Sequence, residues 1–223
     1  MRYLLKTGWW KWLAVILLTY VFIGGLLLPV PRLPQLNETV RVLHFHVPMW
    51  FGMIFLFLAS MIYAIRYLSN GRKEDDIFSS QLATVGIVFG VLGLVTGMFW
   101  ATFTWGYPWS GDPKQNGAAV CLLIYLAYFV LRGSMPDDQQ KARISGVYNI
   151  FAFAALIPLL FILPRMTDSL HPGDGGNPGF NAYDLDSQLR LVFYPAVIGW
   201  IFLGLWIASQ KIRMKLLKEK LDD

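Results

Sequence analysis

The chain has 223 residues, 56% of them apolar and 15% charged, against about 45–50% and about 25% in an average soluble domain. With a mean hydropathy of +0.48 and sixteen Phe, ten Tyr and nine Trp, its solvent is largely lipid, which excludes disordered, collagen-like and disulfide-stapled classes. The net charge of +5 does not call for nucleic acid, because Lys and Arg in a membrane chain first serve orientation.

A bilayer core of about 30 Å takes about 20 apolar residues per helix, since backbone polar groups must bond within the segment. Six stretches meet that requirement: residues 12–29, 47–67, 82–103, 116–131, 144–163 and 189–209. The expected fold is therefore all-α, a single six-helix transmembrane domain over 1–223. The first stretch follows a basic start, as a signal peptide would. Its uncharged run from Leu13 to Pro31 is long, however, and Pro29-Val-Pro-Arg32 offers no small-x-small cleavage pattern, so it reads as a retained helix.

The cations divide unevenly between the two ends of these spans. Arg2, Lys6, Lys11, Arg66, Arg72, Lys73, Arg132, Lys141, Arg143, Lys211, Arg213, Lys215, Lys218 and Lys220 fall on one side. Arg32, Arg41, Lys114, Arg165 and Arg190 fall on the other. The positive-inside rule puts the richer side, and with it both termini, in the cytoplasm.

Two outer segments interrupt the plan, a tryptophan-rich loop over 99–116 and a second loop over 164–188. The second contains His171-Pro-Gly-Asp-Gly-Gly-Asn-Pro-Gly, which is turn chemistry. It lacks the spacing and closing Glu of a calcium loop. A single cysteine, Cys121, excludes both an internal disulfide and CxxC redox exchange, and its place in an apolar run gives it a packing role.

All three histidines, His44, His46 and His171, fall on the outer side. His46 precedes Val47-Pro48, and proline suits a first helical turn, so His46 belongs at the outer mouth of the second span. Two neutral imidazoles from separate segments would serve a metal or a haem iron, whereas lone interfacial histidines merely hydrogen-bond at headgroup level. His44 and His46 are two residues apart and do not point at one spot. At most one of the pair is a ligand, which disfavours zinc held by all three.

Trp100, Phe103, Trp105, Tyr107 and Trp109 crowd into ten residues with Gly and Pro between them. An aromatic belt accounts for such residues at any membrane interface. Their density also suits a platform for a flat, apolar, polar-edged ligand such as a porphyrin. The outer cations, Arg41 and Lys114 ahead of Arg165 and Arg190, are candidates to neutralise an anionic ligand, haem propionates included, with snorkelling as the competing role.

Trp105-Gly-Tyr-Pro-Trp109-Ser-Gly-Asp112-Pro resembles the tryptophan-rich WGxxWxWD signature of the haem-handling proteins of cytochrome c maturation. Arg41-Val-Leu-His-Phe-His46-Val-Pro and Ser-Leu-His171-Pro are similar to the histidine segments of the CcmC branch, as are the length and six-span plan. The chain departs from the signature where its third tryptophan is Gly111, and Lys114 stands where the family often has Arg, keeping charge but losing the bidentate fork. The resemblance implies a carrier of haem b at the outer face of a bacterial inner membrane, with the site facing the periplasm. It implies axial ligation by His46 and His171, and a haem-binding and chaperone-docking surface of Trp105, Trp109 and Asp112 with Trp100 and Tyr107 beside them. Arg41 and Lys114 would contact propionates or the partner. The implied partners are a membrane-anchored haem chaperone and ABC-type membrane proteins, within the lipid bilayer.

Other readings compete. Synthetase-type proteins that attach haem to apocytochrome share the signature but are larger. A membrane b-type cytochrome passing electrons to quinone would hold haem between histidines within helices, whereas His171 lies in a Gly-rich loop. A transporter would need paired acidic groups or buried cations along a path, and these are not evident.

Overall fold

The computed structural model describes residues 7–34, 36–171 and 185–222, and among them every regular element is helical. Helix α1 covers Trp9–Leu27, and a 3-10 helix over Asn37–Val42 leads directly into α2, Leu43–Asn70. Then follow α3 (Lys73–Trp105), α4 (Pro113–Ser134), α5 (Asp138–Ile157) and α6 (Ser187–Asp222). A π turn at Pro158–Ile162 and a 3-10 turn at Leu163–Arg165 extend α5. Six of these helical segments are long and apolar enough to cross a membrane.

Each expected span coincides with one of them, but several helices run further. Helix α3 begins at Lys73 rather than near residue 82, because Glu74, Asp75 and Asp76 in its first turn favour a helix N-terminus. It also runs to Trp105, so most of the expected aromatic loop is helix and only residues 106–112 are not. Helix α6 continues through its lysine-rich end, where Lys215 pairs with Glu219 one turn on at 2.9 Å. Apolar runs mark only the lipid-embedded part of a helix, which is why these polar extensions exceed expectation.

The pairing of α2 with α3 is the most extensive in the bundle. Four glycines of α3 face four large side chains of α2 in antiparallel register: Gly86 meets Phe57, Gly90 meets Met53, Gly93 meets Trp50 and Gly97 meets His46. A Cβ on Gly97 would lie 2.6 Å from the His46 ring, so bare backbone is what admits the imidazole. Close approach over small residues is the usual basis of helix packing in lipid. His46 is thus the last knob of a four-step zipper.

At the opposite end of the bundle, charges join helices. Arg132 of α4 donates twice to the Asp76 carboxylate of α3, at 2.8 and 2.6 Å. Arg66 of α2 lies 3.7 Å from the buried Asp75, and Lys73 pairs with Glu219 of α6. Midway, Asn149 of α5 donates to the hydroxyls of Ser60 at 2.7 Å and Ser79 at 3.0 Å, tying α5 to the α2–α3 pair.

Candidate functional site

His44 and His46 occupy the first turn of α2 but point apart. His44 is buried against Gly25 of α1, on the side away from α3. His46 packs on Gly97, edge-on to Trp50 and Trp100 with ring centroids at 6.4 and 5.9 Å. Its Nδ1 is 3.1 Å from the Thr96 hydroxyl oxygen. The Thr96 proton is directed to the carbonyls of Leu92 and Gly93, so Thr96 accepts and His46 Nδ1 donates. That tautomer leaves Nε2 as the bare, basic nitrogen.

His171 is oriented in the same sense by a different partner. Its Nδ1 donates to Asp112 Oδ1 at 2.8 Å, and its ring stands edge-on to Trp105 with centroids 4.9 Å apart. Asp112 also accepts from the Lys114 backbone N–H at 2.8 Å as N-cap of α4, from the Ser169 hydroxyl at 2.9 Å and from the Leu170 N–H at 2.7 Å. Burial opposes its charge, yet the hydrogen bond from His171, with those from Leu170 and Ser169, holds its carboxyl well below the usual carboxylate range. One carboxylate therefore starts a helix, docks a second segment and sets a histidine tautomer. His46 against Trp100 and His171 against Trp105 both lie at the C-terminal end of α3, which brings the two histidines to one end of the bundle.

The turn between α3 and α4 accounts for the glycine in the aromatic signature. Gly106 and Gly111 have φ of +86° and +73°, where a tryptophan in place of Gly111 would be strained. Gln115, buried, accepts from the backbone and hydroxyl of Ser110, both at 2.9 Å, and donates to the Pro108 carbonyl at 3.2 Å. Tyr107 and Trp109 are left exposed at 51% and 38%. Trp100 lies within α3, and its indole N–H donates to Thr39 at 3.2 Å, joining α3 to the 3-10 helix before α2.

The outer cations have unequal employment. Arg41 donates to Glu38 at 2.7 Å and to the carbonyls of Gly25 and Leu28 at 3.1 and 2.8 Å, closing the C-terminal end of α1 over the start of α2. Lys114 and Arg165 also have partners. The Arg190 guanidinium has no ion pair among the described residues, and its Nε is shielded from solvent without a hydrogen bond.

Sequence reasoning passed over Thr96, Gly97, Gln115 and Ser169. Gln115 had a signal, since it follows Asp112 by the three-residue spacing of a helix-capping pair. Thr96 and Gly97 had none, because their role depends on which face of α3 meets α2. Among the described residues no group of three or more His, Cys, Asp or Glu is placed to hold a bare metal ion. The two imidazoles stand instead beside half-buried tryptophan rings, and imidazole is a residue type that holds haem iron. Two surface grooves, about 410 Å³ between α4 and α5 and about 400 Å³ between α1 and α6, are lined by residues away from the histidines.

Comparison with known proteins decides the family. The model of CcmC, heme exporter protein C, matches residues 3–223. The chain belongs to the heme exporter protein C family. It is 23% identical over 207 residues to heme exporter protein C of Haemophilus influenzae, covering 93% of this chain and 83% of that one. It is 24% identical over 218 residues to heme exporter protein C of Escherichia coli strain K12, covering 96% and 86%. A shorter match, 42% identical over 87 residues, joins it to cytochrome c biogenesis protein CcsA of Parasynechococcus marenigrum, covering 39% of this chain and 28% of that one. Among these relatives the heme exporters, not CcsA, align with nearly the whole CcmC-family chain.

Proposed function

We propose that this chain carries haem b for cytochrome c maturation, holding it at the histidine end of the bundle between His46 and His171 and passing it to a partner. The observation that carries this reading is the matched polarity of the two imidazoles. Each donates through Nδ1, to Thr96 or to Asp112, so each keeps Nε2 free of that bond and able to accept or ligate. The carboxylate–histidine pair of Asp112 and His171 is the arrangement that orients and strengthens a metal-binding imidazole.

His46 and His171 would hold the haem, and ligation by two histidines would suit carriage rather than oxygen chemistry. His46 is held in a helix by the α2–α3 zipper, whereas His171 is held outside any helix by Asp112. Letting go of His171 would free one face of the cargo while His46 keeps the other. Tyr107 and Trp109 provide the exposed aromatic surface for a membrane-anchored haem chaperone, with ABC-type proteins as further partners in the bilayer. Arg41 acts by positioning the start of α2, not by touching the cargo. In the orientation favoured by cation distribution, both termini face the cytoplasm and the site faces the periplasm of the inner membrane.

The likeness to CcsA supports a second reading, participation in a synthetase-type assembly that attaches haem to apocytochrome. Both readings share the two ligands. Absorption spectra of the purified chain titrated with haemin test them: a low-spin Soret band is expected, lost or shifted in His46→Ala and His171→Ala and kept in His44→Ala. An unchanged band in both of the first two variants would overturn the ligand assignment.

A further inference from the structure

Five cations lie at the histidine end; Arg32 is exposed to solvent, and the other four, Arg41, Lys114, Arg165 and Arg190, are not equivalent. Arg41 is committed to Glu38 and the end of α1, and Lys114 and Arg165 have partners. Arg190 stands in the first turn of α6 with its backbone N–H on the Asp186 carbonyl at 3.0 Å. Its guanidinium has no ion pair among the described residues, although Nε is out of reach of water. The residue is half-buried, and a partly buried cation without an anion is costly, more so where lipid lies nearby.

Its neighbours place the turn of α6 that carries it. Leu189 and Phe193, flanking Arg190, pack into one apolar cluster with Val40, Val47 and Phe51. Val47 directly follows His46, so the first turn of α6 lies alongside the turn of α2 that carries the histidine. Packed helices lie about 8–10 Å axis to axis, a span that a long arginine side chain and a propionate arm bridge together.

We propose that Arg190 is the anion-binding residue of this site and takes a carboxylate of the haem cargo. The proposal rests on the haem-carrying reading above and adds the residue that recognises the acidic edge of the porphyrin. Arginine suits the task because its planar fork pairs with both oxygens of a carboxylate.

The test uses the full chain in nanodiscs, titrated with haemin and with haemin dimethyl ester, whose carboxylates are capped. The unaltered chain should bind haemin about tenfold or more tightly than the ester, the size expected of a charge-assisted bond. Arg190→Gln should erase that preference and Arg190→Lys should restore part of it. Without haemin, Arg190→Gln should melt no lower than the parent, since an unpaired shielded charge has been removed.

Three results overturn the proposal. The haemin preference of Arg190→Gln is unchanged, so another group reads the carboxylates. Arg190→Gln keeps that preference but loses a dependence on phosphatidylglycerol in the nanodisc, so the anion is a lipid phosphate. The haemin-free Arg190→Gln chain melts several degrees lower or fails to fold, so Arg190 has a carboxylate partner within the chain. Binding of neither ligand by the unaltered chain is distinct from all three, because it removes the haem-carrying reading itself and the proposal with it.

Discussion

The two ends of the bundle use polar side chains in opposite ways. At the end remote from the histidines, Arg132 closes on Asp76, Arg66 on Asp75 and Lys73 on Glu219, so charges are spent on joining α2, α3, α4 and α6. At the histidine end, hydrogen bonds orient groups without exhausting them. Thr96 and Asp112 each take one nitrogen of an imidazole and leave the other, Trp109 and Tyr107 remain exposed, and Arg190 has no anion among the described residues. One end stabilises the bundle, and the other keeps valencies open for something the chain does not itself contain.

Substitutions at each end should separate these roles. The largest effect belongs to the paired end: Arg132→Gln leaves Asp76 without its bidentate partner and should cost about 3 kcal/mol, read as a lower thermal midpoint in detergent. Haemin affinity of the folded fraction should be unchanged, and a matching loss of affinity would break the division. Asp112→Asn comes next. Asparagine still caps α4 but accepts weakly from His171, so haemin affinity should fall about 10–100-fold with little change in melting, measured by titration and thermal scan side by side.

Gly97→Ala puts a methyl group against the His46 ring. It should cost about 1–2 kcal/mol through overpacking and shift the Soret band, and a variant with parental melting and spectrum would show that the zipper does not place the histidine. Thr96→Val is the smallest. Removing the acceptor of His46 Nδ1 should weaken haemin binding a few-fold, about 1 kcal/mol for one hydrogen bond, while Thr96→Ser should behave as the parent.

The sequence carried the six spans openly, because apolar runs of membrane length have few other uses. It also carried the positions of His46, His171 and Asp112, through their aromatic and turn-forming surroundings. What it hid were relations between helices. The glycines of α3 read as generic small residues until Phe57, Met53, Trp50 and His46 are seen filling them. Arg41 read as a ligand contact by its side of the membrane, yet its guanidinium closes the end of α1. Arg190 ranked low for want of a motif, and its Nε, shielded from solvent without a hydrogen bond, is what marks it out. Gly111 read as a gap in a signature, and its positive φ turns that gap into a backbone requirement.

The account rests on His46 and His171 presenting Nε2 to one iron, and ligand replacement tests it most directly. Ferric haem-loaded protein should be low-spin by electron paramagnetic resonance. His171→Gly should turn high-spin or lose haem, and added imidazole should return the low-spin signal by occupying the space of the missing ring. A His171→Gly protein that keeps the parental low-spin signal without added imidazole would contradict the account.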